Sequence, residues 1–241
     1  MKKMNEKLLA GVLAVSALAG AMITSAAHAG VDAAVGASNM YYWRGYDLGA
    51  DDGGAAVWGD LKASIDAGVY GGVWMSSGDN TSGTEYDLYF GYGTKLGDFG
   101  IDLSYWSYNY PSRTPDVTYP LAKPVEPFDF AEVVLALSYG PVALTYYDNV
   151  APGEDLNGPG ADFGSEDYSY FTLAYTYEAW NFKYGQHSDV DGSPYDGYSH
   201  FDITYAFNDK VSFTLGNVID DVDNKNNDQA KFVVNLTLPI E

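Results

Sequence analysis

The sequence predicts an all-β chain: a transmembrane antiparallel up-and-down β-barrel of about 12 strands. Three observations carry this. Apolar and polar residues alternate with period two over segments as long as a tilted membrane-crossing strand, ~9–11 residues. Long and short connections alternate along the chain. After residue 29 no stretch is apolar enough to cross a membrane as a helix.

The pattern is clearest in the hairpin around residues 57–76. Val57, Gly59, Leu61, Ala63 and Ile65 alternate with Trp58, Asp60, Lys62 and Ser64. After Asp66-Ala67-Gly68, Val69, Gly71, Val73 and Met75 alternate with Tyr70, Gly72, Trp74 and Ser76. Period two, a tight turn and period two again make a β-hairpin. The same reading places strands at about 31–42, 55–66, 69–76, 84–94, 99–109, 130–139, 142–148, 168–177, 181–187, 199–207, 211–219 and 230–238. The connections 43–54, 77–83, 110–129, 149–167, 188–198 and 220–229 read as long, and those between them as short turns. A membrane barrel has short periplasmic turns and long outer loops. A barrel must also close, so the strand at 31–42 is expected antiparallel to that at 230–238.

Residues 1–29 read as a secretory signal peptide, leaving 30–241 as the barrel. Lys2, Lys3 and Lys7 precede the uncharged run Leu8–Ile23, and Ala27-His28-Ala29 is a small-x-small cleavage site. Export to the periplasm and then a cell outer membrane follow as expectations. The chain has no cysteine, so disulfides do not staple it. A net charge of −21 excludes nucleic acid as a partner, because phosphates would be repelled. With 22 tyrosines, 27 glycines and slightly negative mean hydropathy, composition does not separate a soluble domain from a barrel.

Charge placement supports the barrel. With the apolar parity facing lipid, Asp60, Lys62, Glu85, Asp87, Asp102, Glu132, Lys183, Asp202 and Lys231 all face inward. A lysine facing mid-membrane lipid would cost on the order of 2–4 kcal/mol. The lipid parity carries Tyr41, Trp43, Phe90, Phe99, Tyr139, Tyr146, Tyr175, Tyr177 and Phe207, many near strand ends where interfacial girdles form.

Ser38-Asn39-Met40-Tyr41-Tyr42-Trp43-Arg44-Gly45 resembles the N-terminal signature of the TorF-type porin family of proteobacterial outer-membrane proteins. The resemblance continues through Ala67–Trp74, Thr84–Tyr89, Tyr108–Pro111 and Phe130–Val133, and is a matter of pattern only in the C-terminal third. It implies an outer-membrane barrel embedded in lipid and inserted by the barrel-assembly machinery. The terminal Leu238-Pro239-Ile240-Glu241 departs from the aromatic ending of many such barrels.

The expected function is passive diffusion of small solutes or cations through a narrow acidic lumen. Arg44 is placed inward at the outer rim, where it could pair with Asp47 or a neighbouring strand's carboxylate and narrow the pore, or serve only as a rim contact. Asp60, Glu85, Asp87, Asp102, Glu132 and Asp202, opposed by Lys62, Lys183 and Lys231, form either a cation-selecting lumen or a self-neutralising network. Acidic loops would draw cations to the mouth. Asp189-Val190-Asp191-Gly192 resembles part of a calcium loop, but His200 stands where the closing Glu belongs, so no metal site is assigned. No cofactor is expected. The rival readings are a non-conducting structural or adhesive barrel with loops 110–129 and 149–167 as contact surface or plug, and, more remotely, a hydrolase using His200 beside Asp202. No serine-centred motif accompanies that pair, so no catalytic residue is assigned. Inward Trp58, Tyr70, Trp74, Tyr89, Trp106, Tyr108, Tyr147, Tyr168 and Tyr170 foretell a tight bore.

Overall fold

Twelve strands pair in sequence order and the last meets the first. They are β1 (Gly30–Ser38), β4 (Ala56–Ser64), β5 (Val69–Asp79), β6 (Gly83–Leu96), β7 (Phe99–Asn109), β8 (Phe130–Tyr139), β9 (Val142–Pro152), β10 (Ser169–Tyr177), β11 (Trp180–His187), β12 (Ser199–Ala206), β13 (Val211–Asp220) and β14 (Lys231–Ile240). Two further short strands, β2 (Tyr42–Trp43) and β3 (Tyr46–Asp47), pair only with each other. This computed structural model describes residues 29–49, 54–79, 82–113, 124–125, 127–152, 168–188, 197–220 and 230–240. The expected signal peptide, the acidic runs of the long loops and the calcium-like Asp189–Gly192 segment lie outside the described residues.

The sheet closes as a barrel through β1, which is antiparallel to both β4 and β14. Ser38 lies opposite Ala56 on one side and Asn235 on the other. Closure leaves no unpaired edge, the condition for a sheet in lipid. Among the described residues no helix is long and apolar enough to cross a membrane.

Alternation along each strand separates two environments. On β7, Asp102 and Ser104 are buried inward, while Leu103 is 52% exposed on the outside. Leu61, Met75, Phe90, Leu144, Leu173, Leu215 and Phe232 extend this exposed apolar surface around the barrel. A water-soluble protein does not expose so continuous an apolar band; lipid solvates it. Tyr139, Tyr177 and Phe207 are exposed at the end of the barrel that carries the short turns, as a girdle requires. Asp148, near the outer end of β9, is exposed on the outward parity and accepts a hydrogen bond from Tyr146 Oη at 3.3 Å.

Two expectations need correction. The first strand ends at Ser38, not near residue 42. Asn39 replaces the backbone ladder there: its N–H and Nδ2 donate to Val234 and Phe232 carbonyls, and its Oδ1 accepts from Val234 N–H at 2.7 Å. The edge of β14 is thus satisfied while the chain turns off the wall. Tyr41 and Trp43 consequently point into the lumen; Tyr41 is 2% exposed instead of facing lipid. The second correction concerns the connection at 77–83. β5 runs to Asp79 and β6 begins at Gly83, so this link is as short as the turns at the other end.

Candidate functional site

The segment 39–49 is an inward hairpin that crosses the lumen. Trp43 pairs with Tyr46, leaving Arg44-Gly45 as a two-residue turn with φ of 45° and 94°. Positive φ at both positions defines a type I′ turn, which matches the twist of a hairpin and favours Asn-Gly. Arginine there is strained, so its side chain must contribute something that offsets the cost.

That contribution is visible. Arg44 Nη1 donates to Glu132 Oε1 at 2.8 Å, and Nη2 to Oε2 at 2.5 Å, a two-pronged pair. Nη1 also donates to Tyr168 Oη at 3.1 Å, and Tyr108 Oη donates to Glu132 Oε2 at 2.8 Å. The guanidinium carbon lies 4.5 Å from the Trp43 and Tyr147 ring centres and 4.7 Å from that of Tyr170. Burial opposes the charge on Arg44, but the pairing with Glu132 outweighs it and holds the pKa above its ordinary value.

The rest of the hairpin is pinned to opposite walls. Tyr41 Oη donates a short hydrogen bond to Glu85 on β6, and its neighbour Tyr42 donates to Asp202 on β12 at 2.6 Å. In the closed strand order, β6 and β12 stand half a circumference apart. His187 Nε2 donates to the Arg44 carbonyl at 2.9 Å, which leaves Nδ1 to accept from Tyr168 Oη at 2.8 Å. Tyr46 stacks on Tyr198, with ring centres 4.3 Å apart. Glycines make room for this packing. A Cβ on Gly216 would collide with the Tyr42 ring, and one on Gly185 with His200 and Tyr170.

The expected inward residues are therefore brought together in part. Arg44 and Glu132 meet; Asp47 is not Arg44's carboxylate and instead accepts the Gly49 N–H at 2.9 Å. Lys183 pairs with Asp202 at 2.9 Å, and His200 Nδ1 donates to the same carboxylate at 2.9 Å. Glu85 accepts from Tyr41 and Tyr110, Asp60 from Tyr89 at 2.8 Å, and Asp102 from Tyr70 at 2.7 Å. Lys62 Nζ lies 4.1 Å from the Tyr70 ring centre. Asp87 is 4% exposed, with Oδ1 lacking a hydrogen-bond partner among the described residues. Lys231 is half-buried at the start of β14, opposite Gly216. Among the described residues Asp60, Glu85, Asp87 and Asp102 form no ion pair. No group of described residues has the donors to hold a metal ion.

Sequence reasoning missed Tyr41, Tyr42, Tyr46 and Tyr198 as lumen residues. Asn39 as a strand stop and Trp43-Arg44-Gly45-Tyr46 as a tight turn were the available signals.

Residues 23–227 match the model of the Gcw_chp family, described as a bacterial protein of unknown function, and the chain belongs to that family. That description does not carry the TorF name. No curated protein matches the sequence. Among solved structures, the KdgM porin is similar at 11% identity and a TM-score of 0.45, over 88% of this chain and 99% of that one. Outer membrane phospholipase A from Escherichia coli is similar at 9% identity and 0.47, over 89% and 98%. OprD from Pseudomonas aeruginosa is similar at 13% and 0.41, over 88% and 66%. At such identities and scores, the activities in those names stay with those proteins.

Proposed function

We propose that the chain is a porin-like channel of an outer membrane that passes small solutes and prefers cations. On this reading residues 1–29 direct export, the barrel-assembly machinery inserts residues 30–241, and the TorF-type resemblance reflects shared biology. The observation that carries the proposal is a lumen lined by Asp60, Glu85, Asp87 and Asp102, none in an ion pair among the described residues, beneath a hairpin whose Tyr41, Tyr42 and Arg44 reach the wall through hydrogen bonds. Carboxylates without an ion-pair partner favour cations in a channel, and a hairpin joined to the wall by non-covalent contacts can move. The hairpin is then the constriction, with Arg44 at its tip.

A second reading is a permanently closed barrel with a structural or adhesive role. The contacts of Tyr41 and Tyr42 on opposite walls favour it. A hydrolase has less support: the His200 ring is 0% exposed, between Asp202 and the Tyr170 hydroxyl, with no serine in its hydrogen bonds.

Planar-bilayer recordings across a salt gradient test the proposal. Steady conductance with a cation-selective reversal potential is expected. Joint Asp60→Asn, Glu85→Gln and Asp87→Asn replacement should move the reversal potential toward zero. A folded, heat-modifiable barrel without conductance would defeat the channel reading and leave the closed barrel.

A further inference from the structure

The groups around the Arg44 guanidinium divide by origin. Trp43 belongs to the hairpin itself. Glu132, Tyr108, Tyr147 and Tyr170 belong to the wall, on β8, β7, β9 and β10, and Tyr168 immediately precedes β10. Those strands are consecutive in the barrel, and their ladder sets the spacing: Tyr147 is opposite both Val134 and Tyr170. The receptor half of the contact is thus built without the hairpin. It comprises a carboxylate 1% exposed, a tyrosine hydroxyl donating to that carboxylate, and two ring faces at 4.5 and 4.7 Å from the cation.

Its chemistry is selective. Both carboxylate oxygens are engaged by parallel N–H donors, which a planar guanidinium provides and an ammonium does not. The ring faces add cation–π attraction suited to a flat, weakly hydrated cation. Arginine also occupies a turn position that asparagine would fill with less strain, a cost that its head-group contacts offset.

We infer that this wall pocket is a recognition site for guanidinium-bearing solutes, occupied at rest by Arg44, and that such a solute competes with Arg44 and releases the hairpin. The inference rests on the channel reading for its consequence, but not for the binding itself. Glu132 would take the incoming guanidinium by two hydrogen bonds while Tyr147 and Tyr170 stack on it. The displaced hairpin, losing its central anchor, would leave the bore.

The test uses methylguanidinium, with methylammonium at the same ionic strength as the control, on protein purified from membranes in detergent. Saturable binding is read by tryptophan fluorescence, and channel opening by bilayer recording. Methylguanidinium should bind the wild type and raise its open fraction, and methylammonium should do neither. Removing the tethered competitor with Arg44→Ala should tighten methylguanidinium binding by at least about tenfold, because a tethered group acts at millimolar or higher effective concentration. Adding Glu132→Gln or, if that variant is not heat-modifiable, Tyr170→Leu should abolish the gain. Equal response to the two cations, or Arg44→Ala binding no tighter than wild type, would overturn the inference. Selective binding without conductance in any variant would uphold the site and defeat the channel reading.

Discussion

Arg44 shows how a residue can be badly placed for its backbone and well placed for its side chain. Its φ of 45° belongs to a turn that favours asparagine, yet its guanidinium meets a carboxylate that is 1% exposed. A strained position costs about 1–3 kcal/mol, whereas stranding one partner of a buried pair costs about 3–5 kcal/mol. The pair therefore decides the balance. Arg44→Asn should relax the turn and still destabilise the protein by roughly 1–3 kcal/mol, because Glu132 loses its counter-charge. Arg44→Asn with Glu132→Gln should recover most of that loss. Urea unfolding followed by tryptophan fluorescence checks this, and a single variant as stable as wild type would show that the pair contributes nothing. At this scale the sequence placed Arg44 inward, with a carboxylate partner as one of two readings beside a plain rim contact. It could not reveal that the carboxylate is Glu132, 88 positions away, because which strands face one another across a lumen depends on barrel geometry.

The inward hairpin was illegible for a definite reason. Tyr41, Tyr42 and Trp43 continue the alternation of β1, and aromatic residues suit a lipid girdle, a strand and a lumen equally well. Only Asn39, whose side chain stands in for the ladder, marks where the wall ends. Strand interiors were legible because one face meets lipid and the other does not; the 77–83 link was overestimated because Ser76–Asp79 continues the strand without apolar alternation. The hairpin's seating also depends on Gly216, above which the Tyr42 ring lies. Gly216→Val should push Tyr42 away from Asp202 and loosen the hairpin while leaving the ladder between β13 and β12 intact. The expected outcome is more frequent channel opening with unchanged heat-modifiability. Wild-type opening in a folded variant would mean that Tyr42 does not hold the hairpin.

At the scale of the whole molecule, closure and sidedness rest on the same alternation. The pairing of β1 with β14 was foreseeable because an open edge in lipid has no substitute for its missing hydrogen bonds. Sidedness can be tested with one charge placed on either face. Leu103 lies mid-strand on β7 and is 52% exposed, whereas Ser138 on β8 has the inward parity and is half-buried toward the turn end. Leu103→Arg must bring a guanidinium into hydrocarbon, at about 2–4 kcal/mol near the midplane. Ser138→Arg stands at a half-buried inward position near the turn end, where the barrel's acidic groups attract a cation, so its cost should stay below about 1 kcal/mol. Urea midpoints of the two variants in the same lipid vesicles measure the difference. Similar losses for both would mean that the exposed band around Leu103 does not meet lipid, and the membrane placement of the barrel would fail with it.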